Sequence, residues 1–137
     1  RMNVKEADFV SFSFHPQVHA FDDTTLLENT ETVEYLVESA KALYHLPVHI
    51  SAITLKARSN PYASESSART ISIENQRDSR QKTDFLATWT DSLFEYLAIA
   101  GVSAISCFQT VGDLGIMDEK GNEFPIYESL RKYLTNH

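Results

Sequence analysis

The 137-residue sequence has little that would crosslink it, anchor it in a membrane or attract it to nucleic acid. Its one cysteine, Cys107, excludes a disulfide within the chain and lies in an apolar run, which predicts a buried core thiol. No apolar segment approaches the roughly 18 residues needed to cross a bilayer, and no signal-peptide pattern is visible. The net charge is −7, whereas phosphate-rich surfaces attract clustered lysine and arginine. We therefore expect a cytoplasmic protein with no nucleic-acid partner and no membrane partner.

What the sequence does contain is an alternation of strand and helix patterns. Its hydrophobic fraction of 42% is that of a globular protein, and its length suits one domain or part of one. β-Branched and aromatic runs predict strands near residues 8–14, 48–55 and 102–108. Apolar residues at helical spacing predict helices near 24–45, 80–100 and 125–135, with a loop over 56–79. Alternating units imply parallel strands joined by right-handed crossovers. The predicted fold class is α/β, with three consecutive βα units equivalent to the C-terminal part of a (β/α)8 barrel.

Residues 8–23 combine a predicted strand with a cluster of polar side chains at its end. The run from Phe9 to Phe14 favours a strand, and Pro16 ends it because proline cannot donate a ladder hydrogen bond. In parallel α/β barrels the chemistry lies at the carboxyl ends of the strands. The stretch therefore predicts a functional site, although histidines that only cap backbone groups would give the same pattern.

Polar side chains follow each predicted strand, and parallel strands bring their carboxyl ends to one edge of the sheet. The candidate catalytic residues are His19 and His15. The candidate substrate-binding residues are Gln17, Arg58, Asn60 and Gln109. We expect His15, Gln17, His19, Arg58 and Gln109 to project onto one surface.

Two kinds of site fit these residues poorly. A retaining glycosidase needs two carboxyl groups flanking the scissile bond, but the second predicted strand is followed by no acid and the third ends at Gln109. A metal site built from His15, His19 and Asp22 would need a helix to align the histidines, and Pro16 makes a helix there unfavourable. We expect neither a metal nor another cofactor.

Hydrolysis of an ester or lactone requires fewer specific groups than a retaining glycosidase or a metal site. It needs one base to activate water and one cationic or hydrogen-bonding group for the developing oxyanion. His19 or His15 can supply the base, and Arg58 or Lys56 can supply the cation. Arg58 can equally hold a sugar-acid carboxylate through a forked pair of hydrogen bonds.

Three segments together resemble the carboxyl-terminal part of the barrel domain in the D-apionate lactonase family and its glycosidase-related relatives. They are residues 7–23, residues 47–58 and residues 109–112, and the run Pro-Gln-Val-His-Ala-Phe-Asp-Asp at 16–23 is the most specific of them. The resemblance implies a (β/α)8 barrel that opens a small branched-sugar-acid lactone in carbohydrate catabolism. His15 stands where the family pattern has asparagine, and Gln109 where it has an acid. Those two differences are expected of an inactive or differently selective relative.

Lactone hydrolysis is the leading interpretation, and two alternatives remain. One is a barrel of the glycoside-hydrolase type, and the other is a non-catalytic fragment or subunit that supplies one wall of a site. Three parallel strands also leave one sheet face without helices, lined by Phe9, Ser51 and either Ile105 or Cys107. We therefore expect the isolated chain to self-associate through this uncovered sheet, and its other partner to be a small carbohydrate or sugar-acid lactone.

Overall fold

The structure, a computed structural model, describes residues 6–59 and 63–136 of the chain. It contains a parallel sheet with helices on one face, followed by a small two-stranded sheet. The strands are β1 (Val10–Phe14), β2 (Val48–Ile53), β3 (Ala104–Cys107), β4 (Gln109–Val111) and β5 (Gly115–Met117). The α-helices are α1 (Asp23–Glu28), α2 (Thr32–Tyr44), α3 (Ile73–Gln76), α4 (Asp84–Ala100) and α5 (Pro125–Asn136).

The main sheet has the strand order β1-β2-β3. Its three strands run parallel, as the alternating sequence predicts. Ile50 in the central strand lies opposite Phe12 on one side and Ile105 on the other. Strands β1 and β2 end at the same level. The amide of Thr54, the residue after β2, donates to the carbonyl of Phe14, the last residue of β1, over 3.1 Å. The loops that follow them therefore start from one edge of the sheet.

One face of this sheet is buried against the helices. The core joins strand residues such as Ile50 and Ile53 to the apolar stripe of α4, in which Trp89, Leu93 and Leu97 are fully buried. The polar end of the Trp89 indole is satisfied, since Nε1 donates to the carbonyl of Leu26 over 3.1 Å. Because its N–H has a partner, the buried indole adds apolar packing to the core and leaves no polar group unsatisfied.

The other face of the sheet carries small polar side chains. Its exposed positions include Ser11, Ser13, Ser51 and Ser106. The expectation that Ile105 or Cys107 lies on this face was wrong, because both pack against the helical core and the alternation of β3 turns Ala104 and Ser106 outward. The uncovered face is consequently less apolar than the sequence suggested.

The structure also differs from the expected single helix over 24–45. A 3-10 turn at Asn29–Glu31 separates α1 from α2. The hydroxyl of Thr30 donates to the carbonyl of Leu27 over 2.7 Å and pairs with the Ser92 hydroxyl at 2.8 Å. Side-chain hydroxyls that bond to nearby backbone compete with helical hydrogen bonding, which accounts for the interruption.

The segment expected to be a loop, 56–79, is more ordered than its composition indicates. It contains a 3-10 turn at Ser66–Arg69 and the short helix α3, and Ser59 forms an isolated antiparallel bridge with Thr70. Helix α4 begins at Asp84 rather than near residue 80, because Thr83 is extended and a 3-10 turn, Ser79–Lys82, precedes it.

Strands β4 and β5 lie between β3 and α5, where the sequence predicted no further strand. They run parallel, with Gln109 opposite Gly115 and Val111 opposite Met117. A Cβ atom on Gly115 would lie 2.7 Å from the carbonyl carbon of Val111, so glycine is required for this close approach. None of the helices in the described ranges is both long and apolar enough to span a bilayer.

Candidate functional site

The carboxyl edge of the main sheet is formed by His15, Thr54 and Phe108, the residues that directly follow β1, β2 and β3. Phe108 has a φ of 58°, a left-handed conformation that is unfavourable for an aromatic residue. Its amide donates to the carbonyl of Ile53 over 3.1 Å, so the conformation is held by the neighbouring strand. Backbone outliers of this kind cluster at functional sites, and this one lies where the fold would place a site.

An open cleft of about 610 Å³ lies between the loop after β1 and the loop after β2. Its lining is mostly polar and includes side chains from both loops and from the segment before α4. The lining residues are Gln17, Phe21, Asp23, Lys56, Arg77, Asp78, Ser79 and Arg80. We call this space the first cleft.

Gln17 is buried beside the first cleft and connects three segments of the chain. Its amide nitrogen donates to the carbonyl of Leu55 over 2.9 Å and to Oδ2 of Asp78 over 2.7 Å. A glutamine amide has two N–H donors, and both are therefore occupied. Only the carbonyl oxygen of Gln17 remains for the substrate-binding role that the sequence predicted.

Asp78 is the anionic centre of this arrangement, with a side chain that is only 5% exposed. The Arg80 guanidinium binds it in a fork, Nε to Oδ1 and Nη2 to Oδ2, each at 2.9 Å. Desolvation alone would raise the pKa of Asp78, but the hydrogen bonds from Arg80 and Gln17 outweigh it and lower the pKa to about 2. We call Gln17, Asp78 and Arg80 the clamp.

The clamp also fixes the loop after β1 at a second point. Nη1 of Arg80 donates to the carbonyl of Phe21 over 2.8 Å and to Oδ1 of Asp23 over 3.0 Å. The guanidinium lies 5.4 Å from the centre of the Phe85 ring, within the range of a cation–π contact. One arginine thus connects the start of α1 to the segment that precedes α4.

A much narrower cavity, of about 10 Å³, adjoins the first cleft between the ends of β2 and β3. Lys56 lines both spaces, and Arg58 and Phe108 line the narrow one. Two nitrogens of Arg58, Nε and Nη2, are buried and have no hydrogen-bond partner among the residues that the structure describes. Buried charged donors without acceptors are costly, so the Arg58 guanidinium requires an acceptor that the described residues do not supply.

Beyond Arg77 lies a second cleft of about 260 Å³, whose lining includes Gln109 and Asp113. Asp113 is paired with Arg77 at 3.0 Å and with Lys82 at 2.7 Å, and all three side chains are about half exposed. The hydrogen bond from Lys82 is the main cause that lowers the pKa of Asp113. Exposed pairs of this kind contribute little to stability, so we interpret them as a charged rim.

The predicted site residues fall into three groups. Gln17, Arg58 and Gln109 line spaces that adjoin one another along the carboxyl edge. His15 and His19 line none of these three spaces; His15 is half-buried at the end of β1, and His19 is exposed in the loop. Asn60 lies outside the described residues.

His15 has two properties that distinguish it from His19. Its Nδ1 atom is buried without a hydrogen-bond partner in the described part of the chain. Burial also lowers its pKa below the usual 6.5, so the imidazole is neutral at pH 7. A neutral imidazole at a strand end is the form that can accept a proton.

Other chemistries find less support in the described ranges. They contain no group of three histidine, cysteine, aspartate or glutamate side chains placed to hold a metal ion. Burial raises the pKa of the Cys107 thiol to about 11, which leaves it protonated and unreactive.

Sequence reasoning missed Asp78 and Arg80, which organise the loops of the site. Asp78 lies in the segment that the sequence predicted to be a loop, and Arg80 lies at the predicted start of a helix. Their partners, Gln17 and Phe21, are about sixty residues away in the sequence. No local pattern records such a contact.

The parallel sheet β1-β2-β3, with polar side chains at its carboxyl edge, is consistent with part of a parallel α/β barrel, a fold class in which chemistry lies at the strand ends. The family described as "D-apionate lactonase, TIM barrel domain" matches residues 1–136, so the chain belongs to this family. The D-apionate lactonase of Brucella anthropi is 27% identical over 119 residues, which are 83% of this chain and 19% of that protein. The chain thus spans about a fifth of the length of this curated relative. The resemblance noted in the sequence is confirmed.

Proposed function

We propose that the protein containing this chain hydrolyses a small sugar-acid lactone, and that the chain supplies one side of the active site. The family and the name of the curated relative support this class of reaction. The polar groups at the carboxyl ends of β1, β2 and β3 supply what lactone hydrolysis requires.

The buried and unpaired nitrogens of Arg58 are the observation that carries the proposal. A guanidinium binds a carboxylate in a fork and also stabilises a developing oxyanion. A sugar-acid lactone offers a carbonyl oxygen, and its product offers a carboxylate. Either group would give Arg58 the acceptor that the described residues do not provide.

His15 is the base that we propose for the reaction, with His19 as the second candidate. The imidazole takes a proton from water while the water oxygen bonds to the lactone carbonyl carbon. The tetrahedral intermediate then collapses, the bond from that carbon to the ring oxygen breaks, and the imidazolium returns the proton to the leaving oxygen. The products are a hydroxyl and a carboxylic acid, and the histidine is regenerated.

Glycoside hydrolysis fits the geometry less well. A glycosidase needs one carboxyl group that is protonated at working pH, as well as one that is ionised. Two of the carboxyl groups that line the clefts, Asp78 and Asp113, have cationic partners and lowered pKa values. Both are therefore anionic at neutral pH, and neither is suited to act as a general acid.

Replacing Arg58 with alanine in the complete protein should raise KM for a sugar-acid lactone by roughly 10- to 100-fold, the range expected for losing a charge-assisted hydrogen bond. We expect kcat to change less, and Arg58→Lys to recover part of the loss because it keeps the charge without the fork. Steady-state kinetics on D-apionate lactone and related lactones would measure this.

Arg131→Ala is the matched control for Arg58→Ala. Arg131 lies on α5, where its exposed side chain pairs with Glu128 at 2.7 Å. It should leave both kinetic constants within about twofold, as expected for an exposed pair. An unchanged KM in the Arg58→Ala variant would show that Arg58 does not bind the substrate.

We further propose that the isolated 137-residue chain self-associates through the uncovered sheet. The serine-rich face provides little apolar area, so the driving force would come mainly from unpaired backbone groups at the free edges of β1 and β3. Multi-angle light scattering at micromolar concentration should give a mass above that of a monomer. A monomeric mass together with a cooperative thermal transition would contradict this proposal.

A further inference from the structure

We propose that the first cleft binds the carbon skeleton of a small polyhydroxylated acid or of its lactone, with the Phe21 side chain as the surface on which its C–H groups pack. This inference rests on the proposed lactone hydrolysis, because it assigns a place to the carbon skeleton of the same substrate. Its starting point is an exposed aromatic residue beside a polar cleft. Phe21 is 64% exposed and lines the space with charged and hydroxylated side chains.

The backbone that carries Phe21 is anchored even though its side chain is exposed. The Phe21 carbonyl accepts a hydrogen bond from Arg80 at 2.8 Å, and Arg80 is itself held in a fork by the buried Asp78. Asp22 caps α1 immediately afterwards, with Oδ1 accepting from the Thr25 amide over 2.9 Å. These two contacts hold the backbone at and just after Phe21 in place, beside the first cleft.

The groups around Phe21 suit a sugar ring. One face of such a ring consists of C–H groups that pack on an aromatic face, and its edge carries hydroxyls that need hydrogen-bond partners. Asp23 offers acceptors, since only its Oδ1 is used by Arg80. Lys56 offers donors, and the ion pairs of the described residues do not include it. Ser79 adds a hydroxyl.

The first cleft lies beside the position proposed for the carboxyl group, and Lys56 is common to both. Lys56 lines both the first cleft and the narrow cavity that contains Arg58. A ligand whose carboxylate or carbonyl oxygen lies at Arg58 can therefore extend its carbon skeleton past Lys56 towards Phe21. The volume of about 610 Å³ falls within the range of small-molecule sites.

The test compares Phe21→Ala with wild type in the complete protein, with D-apionate as the binding probe and its lactone as the substrate. Calorimetry should show D-apionate binding about tenfold more weakly to the variant, and KM for the lactone should rise by a similar factor. We expect kcat to remain within about threefold. Phe21→Trp should retain affinity because it keeps an aromatic face.

Val18→Ala is the matched control. Val18 lies in the same loop and is 58% exposed, but it does not line the first cleft. It should leave affinity and KM unchanged. If Val18→Ala weakens binding as much as Phe21→Ala, or if Phe21→Ala binds D-apionate like wild type, the subsite is refuted.

The two measurements separate this inference from the proposed reaction. Binding of D-apionate that depends on Phe21, without hydrolysis of the lactone, would support the subsite and refute the proposed function. Hydrolysis with constants that do not depend on Phe21 would support the function and refute the subsite. An absence of both binding and hydrolysis would refute both.

Discussion

Replacing His15 with alanine in the complete protein should lower kcat for lactone hydrolysis by roughly 100-fold or more, the usual scale for losing a general base. His15 directly follows β1 at the carboxyl edge of the sheet, and burial lowers its pKa. Because the neutral imidazole is the active form, the acid limb of the pH profile should lie below pH 6.5 in wild type. Steady-state kinetics over a pH series would measure both effects.

His19→Ala serves as the comparison for His15→Ala, because it removes an exposed imidazole from the same loop. If His15 is the base, the His19 variant should retain kcat within about tenfold and keep the acid limb. The reverse result, with a 100-fold loss only in the His19 variant, would transfer the role of base to His19. Unchanged kinetics in both variants would contradict a histidine base from this loop.

The strands and helices of this chain could be predicted because their signals are local. The apolar stripe of Trp89, Leu93 and Leu97 recurs at helical spacing, and the structure buries all three side chains in the core. Where a side-chain hydroxyl competes with helical hydrogen bonding, the sequence did not reveal the resulting 3-10 turn. The hydroxyl of Thr30 interrupts the expected long helix, and only knowledge of its contact with Ser92 would have revealed this.

The alternation of a short strand shows which residues share a face but not which face is buried. The four residues of β3 could be assigned to the two sheet faces in either of two ways. The structure turns Ile105 and Cys107 towards the helices. The same difficulty affects the site. Gln17 could be placed at a strand end from the sequence, but its buried contact with Asp78 joins residues that are 61 positions apart. A polar residue looks the same in the sequence whether it binds substrate or supports a loop.

Asp78→Asn should strongly destabilise the loops that the clamp connects. It removes the charge that Arg80 and Gln17 share, and the side chain it alters is only 5% exposed. Breaking one side of a buried ion pair costs about 3–5 kcal/mol. The loss here should be somewhat smaller, about 2–4 kcal/mol, since Arg80 keeps its bonds to Asp23 and the Phe21 carbonyl.

Hydrogen exchange followed by mass spectrometry in the complete protein would measure this loss where it occurs. A free energy of about 3 kcal/mol corresponds to roughly 100-fold faster exchange. We expect this acceleration in peptides that cover residues 15–23 and 77–85. Glu128→Gln is the matched control because it removes the charge from an exposed ion pair on α5, and it should accelerate exchange there by less than about fivefold.

The effect of Asp78→Asn should depend on pH in a defined direction. The pKa of Asp78 in the folded protein is about 2, against an ordinary value of 3.8. Because folding lowers this pKa, the stabilisation is present above about pH 4 and is lost as the pH falls towards 2. The shift corresponds to at most about 2.5 kcal/mol, and less where the open cleft lets solvent screen the charges. Wild type and the asparagine variant should therefore converge between pH 4 and pH 2. Equal protection of the two proteins at pH 7 would show that the clamp does not hold these loops together.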